Sequence, residues 1–185
     1  MVEDANRFDV QGIAASILSP LQKQVVRLIE RPWVDIQQDI ERLAQSIQAE
    51  NANLVVDKPS KFHLVRTSLL LAAYRVLSAL ISDQSLLLTS LQNALNDRVE
   101  QSVEAYLMER FGISPGASPE EAFSKASINF KKIGDQKFGR TFLYEQEVLD
   151  ERQSVIVVRK CFFHDFFRAN GALELLLLFC AGDDL

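Results

Sequence analysis

The chain is short of the residues on which most recognisable sites depend. Its 185 residues include 2 cysteines, 2 histidines, 7 glycines and 5 prolines, and 20 Lys and Arg are outnumbered by 25 Asp and Glu. Two cysteines do not make a disulfide framework. No glycine-rich phosphate loop, GxSxG elbow or dinucleotide fingerprint occurs. The formal charge of −5, with no basic stripe, argues against nucleic acid as a partner.

The sequence also has no run that reads as a membrane segment or a leader. "LVRTSLLLAAYRVLSALI" (64–81) is long enough to span, but Arg66 and Arg75 lie inside it and would be costly in lipid. "ALELLLLFCAG" (172–182) is too short. "MVEDANRFD" at the start is acidic and polar where a signal peptide is basic and then apolar. These features predict a cytoplasmic protein with reduced thiols and no membrane partner.

What the chain does have is helical periodicity over its first two thirds. Ser19-Pro20 predicts a helix start, with a short helix over "GIAASIL" kinked or broken before it. A further helix follows Arg31-Pro32 and carries an apolar stripe at Ile36, Ile40, Leu43 and Ile47. Ser60 is expected to begin the helix over 64–81.

Two more helices are predicted before the character changes. Ser82 or Ser85 opens one that runs to a glycine cap at Gly112, and Ser118, Pro119 and Glu121 form a capping box for another that ends near Gly134. The stripe on the first of these could pack within the chain or form the seam of a homodimer. It consists of Leu88, Leu91, Leu95, Val99, Val103 and Leu107.

The last quarter of the chain contains the β-structure. "GRTFLYEQEV" (139–148) and "SVIVVRKC" (154–161) are aromatic and β-branched, and the polar "LDERQ" between them is short enough for a hairpin loop. Short helices are expected around Gly171. The sequence therefore predicts one α+β domain over 1–185, mainly helical over 1–135, with the hairpin and helices of 139–185 carrying the candidate site.

The residues with the richest chemistry cluster in that last segment. Cys161 ends the second strand, His164 and Asp165 follow within one helical turn, and Cys180 precedes Asp183. A thiolate, an imidazole and carboxylates can supply a nucleophile, a base and an orienting group. The alternative is that the cysteines are small buried hydrophobes and His164 caps a helix. No CxxC or HxxxH pair indicates a metal, and His63 is expected to be a surface or capping residue.

The pattern from Cys161 through Gly171, Glu174-Leu175, Cys180 and Asp183 resembles the C-terminal half of the L-2-amino-thiazoline-4-carboxylic acid hydrolase family. The resemblance covers about 45 residues, 140–185, and upstream amounts to little more than helical character. Family members continue into a further strand containing another cysteine, whereas this chain stops at Leu185.

The resemblance implies hydrolytic opening of a thiazoline ring to N-carbamoyl-cysteine, without a cofactor or metal. His164 or Asp183 would activate water, Cys161 or Cys180 would shape the pocket or act as acid or nucleophile, and Arg159 or Lys160 would bind the carboxylate of an amino-acid-like substrate. The alternative is a non-catalytic helical module that binds a small molecule or dimerises.

Overall fold

The fold of residues 10–96, 111–114, 116–148 and 153–180 is described by a computed structural model. Helices precede and follow one β-hairpin, which confirms the predicted helix-rich α+β class. Single 3-10 turns occur at Ala52–Leu54, Gly139–Thr141 and Leu173–Leu176. The longer elements are α1 (Val10–Val25), α2 (Trp33–Glu50), α3 (Lys58–Ser78), α4 (Gln84–Asn96), α5 (Pro119–Phe138), β1 (Leu143–Val148), β2 (Ser154–Lys160), α6 (Phe162–Ala169) and α7 (Leu177–Cys180).

Helix α3 is the centre of the core, and it is packed against α1, α2, α4 and α6. Because neighbours cover it on several sides, it buries polar residues such as Ser60, Thr67 and Ser68 together with its leucines. A helix that is apolar nearly all round is expected in such a position. The apolar stripe predicted for α2 is confirmed, since Ile36, Ile40 and Ile47 are buried against this core.

Helix α1 differs from the prediction, because it does not start at Ser19-Pro20 but runs through both residues. Proline inside a helix removes one backbone hydrogen bond and crowds the preceding turn. Here Leu18 before the proline and Leu21 and Val25 after it are all buried in the same core. Their burial, at about 1.5–3 kcal/mol for a fully buried large apolar side chain, offsets the cost of a continuous helix.

The starts of α3 and α5 are fixed by side-chain caps. Helix α3 begins after Asp57 and not at Ser60, as was predicted. Asp57 is its N-cap residue, and the backbone N–H of Ser60 donates to Asp57 Oδ1 (2.9 Å). The Ser118 N-cap predicted for α5 is confirmed, because the N–H of Glu121 donates to Ser118 Oγ (3.1 Å), but the predicted reciprocal bond to the Glu121 carboxylate is not formed. The Glu121 carboxylate contacts Lys125 Nζ at 2.8 Å.

Part of the helix predicted over 86–111 lies outside the described residues. Within α4, Leu91 and Leu95 are buried in the core, as an intramolecular stripe requires. Val99, Val103 and Leu107 are not among the described residues, so a homodimer seam along this helix stays a prediction. Gly112 has φ +66°, the left-handed conformation expected of a helix-ending glycine.

The hairpin is antiparallel, and Tyr144 lies opposite Val158 with Glu147 opposite Val155. The first strand begins at Leu143, later than predicted, because residues 139–141 form a 3-10 turn at Gly139. In the described part of the chain the sheet has only these two strands. Val155, Ile156, Val157 and Val158 are all exposed, at 38–55 %.

Candidate functional site

The predicted site residues lie where β2 passes into α6. Cys161 is the N-cap residue of α6, is half-buried and is not in a disulfide. Phe162, Phe166 and Phe167 of that helix are buried in the core, which fixes the helix against α3. The polar residues of its first turn consequently face outward beside the thiol-bearing residue.

His164 and Asp165 form a pair on this first turn. His164 Nδ1 lies 3.3 Å from Asp165 Oδ1, and each side chain is 44 % exposed. A carboxylate at this nitrogen stabilises the tautomer in which Nδ1 carries the hydrogen, and it leaves Nε2 as the basic atom. The pair can therefore act as an oriented base.

The two predicted carboxylate-binding residues end β2. The Arg159 guanidinium donates to Glu145 Oε2 of β1 at 3.0 Å. Both side chains are more than half exposed, so this ion pair contributes little to stability. Lys160 is exposed at the same end of the strand.

The second cysteine belongs to the last turn of the described chain. Cys180 ends α7, and the neighbouring Phe179 ring stacks on Phe163 of α6 with centroids 4.5 Å apart. This contact brings the backbone of α7 beside the first turn of α6. The Cys180 side chain and Asp183 lie outside what the structure describes, so their convergence on Cys161 stays a prediction.

His63 is not the surface or capping residue that was predicted. It is 2 % exposed in α3, and its ring is surrounded by the five rings of Phe62, Phe138, Phe142, Phe162 and Phe163 at centroid distances of 5.1–6.0 Å. The sequence contained no local signal for this burial, because the rings of Phe138, Phe142 and Phe162 that enclose His63 come from elements distant along the chain.

The hydrogen bonding of His63 defines its neutral form. Nε2 lies 3.0 Å from the backbone oxygen of Lys137, which can only accept, so Nε2 carries the hydrogen. Nδ1 is buried without a partner. Burial lowers the pKa of His63 to about 4, the charges of Arg66 and Lys137 act in the same direction, and the Lys137 carbonyl and the Asp57 carboxylate oppose them.

A depression of about 660 Å³ opens beside this cage, at the start of α3. Asp57, Asp135, Arg140 and Phe142 are among the residues that line it. Asp57 Oδ2 accepts from the backbone N–H of Arg140 (2.7 Å), and Arg140 Nη2 donates to the Val56 carbonyl (2.9 Å). These bonds fix the α5–β1 corner to the first turn of α3.

Two glycines allow the close approaches on which this corner depends. Gly139 has φ +65°, and a Cβ there would lie 2.5 Å from Asp57 Oδ2. A Cβ at Gly134 would meet the Tyr144 hydroxyl at the same distance. That hydroxyl donates to Asp135 Oδ1 (2.9 Å). Burial, together with the Asp135 carboxylate, raises the pKa of Tyr144 to about 12, so it stays a donor at neutral pH.

Neither a metal site nor a membrane span is found in the described residues. No group of three or more His, Cys, Asp or Glu side chains there could hold a metal ion. None of the helices in the described ranges is long and apolar enough to cross a bilayer.

No protein-family model, curated protein or solved structure matches the chain.

Proposed function

We propose that this chain is a hydrolase that opens the ring of 2-amino-thiazoline-4-carboxylate or a closely similar cyclic amidine. The proposal rests on the sequence resemblance from residue 140 onward. The observation that supports it best is the junction of β2 and α6, where a half-buried cysteine begins a helix that carries an oriented His164–Asp165 pair. We also propose that the protein works in the reducing cytoplasm.

The reaction needs a base, an acid and a site for the substrate carboxylate. Water adds its oxygen to the carbon between sulfur and nitrogen, and one of its protons goes to the ring nitrogen. The carbon–sulfur bond then breaks, the carbonyl of N-carbamoyl-cysteine forms, and the second proton goes to the sulfur. His164 or Asp183 takes the proton from water in this proposal, and Arg159 or Lys160 binds the carboxylate.

The position of Cys161 suits a nucleophile or an acid in this scheme. The positive end of a helix dipole favours an anion at the N-terminus, and a thiolate there is stabilised. If the thiolate attacks first, its sulfur bonds to the ring carbon, the bond from that carbon to the ring sulfur breaks, and the ring nitrogen and sulfur each take a proton. Water then adds to the same carbon, the carbonyl forms and the Cys161 thiolate leaves. If the thiolate does not attack, Cys161 or Cys180 shapes the pocket or donates the proton to the departing sulfur.

The test is turnover of 2-amino-thiazoline-4-carboxylate, followed as the release of a free thiol. We expect Cys161→Ser and His164→Gln each to lower kcat/KM by at least about a hundredfold, the usual range for a lost acid–base group. Arg168→Gln is the matched control, because Arg168 is exposed in the last turn of the same helix. Full turnover by a folded Cys161→Ser protein would remove the thiol from the mechanism.

A second candidate, a non-catalytic module that dimerises, is favoured by the exposed hairpin. Val155 to Val158 form a β-branched run without proline or charge, and natural proteins usually protect such edges. Sedimentation equilibrium tests it. We expect a dimer that Val157→Lys dissociates and that Val34→Lys, on an exposed site of α2, leaves intact. A chain that is monomeric at every concentration would exclude this candidate.

A further inference from the structure

The buried nitrogen of His63 has no partner, and this is costly. Leaving a buried polar atom without a hydrogen bond is destabilising, and folded proteins do so rarely. Nε2 is fixed by the Lys137 carbonyl, so the ring cannot turn to satisfy Nδ1 without losing that bond. Nδ1 is therefore a buried acceptor that no group of the described residues uses.

The surroundings of His63 favour a neutral, flat donor. Five phenylalanine rings line the cage and supply stacking and edge contacts but no acceptor or donor for Nδ1. The charged groups that act on the ring are Arg66 and Lys137, which disfavour its protonation, and Asp57, which favours it. The ring therefore offers a lone pair rather than a second N–H.

The cage and the open depression share one wall. The Phe142 ring is 5.7 Å from the His63 ring and also lines the depression. Arg140 lines the depression, and its guanidinium has five N–H groups. One of those on Nη2 donates to the Val56 carbonyl, and the others are available to a ligand. Arg140 can thus bind a carboxylate in addition. The Asp57 and Asp135 carboxylates on the same lining already accept from Ser60, Arg140 and Tyr144.

We propose that His63 and this depression form one ligand site for a small planar molecule with an N–H group at one end and a carboxylate at the other. Nδ1 of His63 accepts from the N–H group, and Arg140 binds the carboxylate. Phe142 is the wall that shifts to admit the molecule. The choice of ligand rests on the proposed hydrolase function, because an amino-thiazoline carboxylate has both groups. This is a second site for that molecule, in addition to the one in which Arg159 or Lys160 binds the carboxylate for hydrolysis.

The site is tested by ¹⁵N NMR of the His63 ring in the full chain, titrated with 2-amino-thiazoline-4-carboxylate. We expect the Nδ1 resonance to start at the value of a bare ring nitrogen and to move saturably toward that of a hydrogen-bonded one. Arg140→Gln should weaken binding about tenfold, as expected for a lost charged hydrogen bond. Arg42→Gln, on the exposed face of α2, should leave the dissociation constant unchanged.

A second variant separates binding from folding. His63→Phe fills the cage with an apolar ring of similar shape but removes the N–H that bonds to the Lys137 carbonyl. We therefore expect a folded protein whose thermal unfolding temperature is a few degrees lower and which binds the probe about tenfold more weakly. An Nδ1 resonance that is already hydrogen-bonded without the probe and does not move would mean that internal water satisfies it, and this would overturn the site.

Failure of this site and failure of the hydrolase proposal give different results. A saturable Nδ1 shift without any turnover keeps the ligand site and removes the hydrolase. Normal turnover together with a dissociation constant for the probe that is unchanged in both His63→Phe and Arg140→Gln keeps the hydrolase and overturns the site.

Discussion

The helical core and the hairpin arm of this molecule are built on different principles. Among the side chains whose burial the structure describes, every buried apolar one lies in 17–95 or 162–175, and none lies in the α5–hairpin arm over 116–130, 134–147 and 153–160. The core is stabilised by burial, with leucines and isoleucines enclosed on several sides of α3. The arm is joined to the core mainly by hydrogen bonds of Arg140 and the Lys137 carbonyl and by contacts of the Phe138 and Phe142 rings with His63.

This difference means that the hairpin cannot be stabilised mainly by burial of its own side chains. A two-stranded hairpin alone is marginal in water, so this one depends on its attachments. Tyr144 bonds to Asp135, Arg140 bonds to Asp57, and Phe142 packs on His63. All three attachments lie near the depression, so the candidate ligand site lies where the arm, with Arg140 and Phe142, meets the core, with His63.

The largest expected effect is in the core. Phe166 of α6 is fully buried, stacks on Phe162 and makes an edge-to-face contact with Phe167. Phe166→Ala should lower the free energy of unfolding by about 3–5 kcal/mol, since it removes a buried ring and leaves a cavity. Urea denaturation measures this change. A loss below about 1 kcal/mol would mean that α6 is not part of the cooperative core.

The next effect is pH-dependent and comes from His63, where the arm meets the core. Its pKa is lowered from 6.5 to about 4 in the folded protein, so the unfolded chain takes up a proton first as the pH falls. The stability from its neutral form is full above pH 6.5 and is lost between about 6.5 and 4, by about 3 kcal/mol in all.

His63→Phe is the control, because it removes the part of the pH dependence of stability that comes from His63 and leaves the part that comes from the carboxylates. The variant should unfold with a flatter dependence of stability on pH between 4 and 6.5, measured by denaturant titration at each pH. Parallel curves for the two proteins would contradict the neutral buried state of His63.

Much of the fold, but less of the site, could be predicted from the sequence. The stripe of α2, the cap at Ser118 and the hairpin are local patterns, and the structure confirms them. The continuous α1 and the buried His63 depend on burial from distant elements, which local propensity does not contain. Arg140 and Asp57 are 83 positions apart and meet only because α5 returns to the start of α3.

A smaller effect is expected at Asp57, which bonds the corner between α5 and β1 to the first turn of α3. Partial burial alone would raise the pKa of Asp57, but the hydrogen bonds from Arg140 and Ser60 outweigh it and lower the pKa. Asp57→Ala should cost about 2 kcal/mol, since it removes both a helix cap and the bond to the arm. Asp83→Ala, which removes only the bond from the Leu86 N–H, should cost about 1 kcal/mol. Equal losses for the two variants would mean that the bond to Arg140 adds nothing.

The smallest effect is expected on the exposed strand, and it sharpens the comparison most. Val157 is 38 % exposed and lies opposite Glu145. Val157→Thr keeps the β-branched shape and should change the free energy of unfolding by less than about 0.5 kcal/mol in a monomeric chain. If the chain dimerises through this strand, the loss becomes larger and depends on protein concentration, because unfolding is then coupled to dissociation. Denaturation at two protein concentrations, a hundredfold apart, therefore decides whether a second copy of the chain covers this strand.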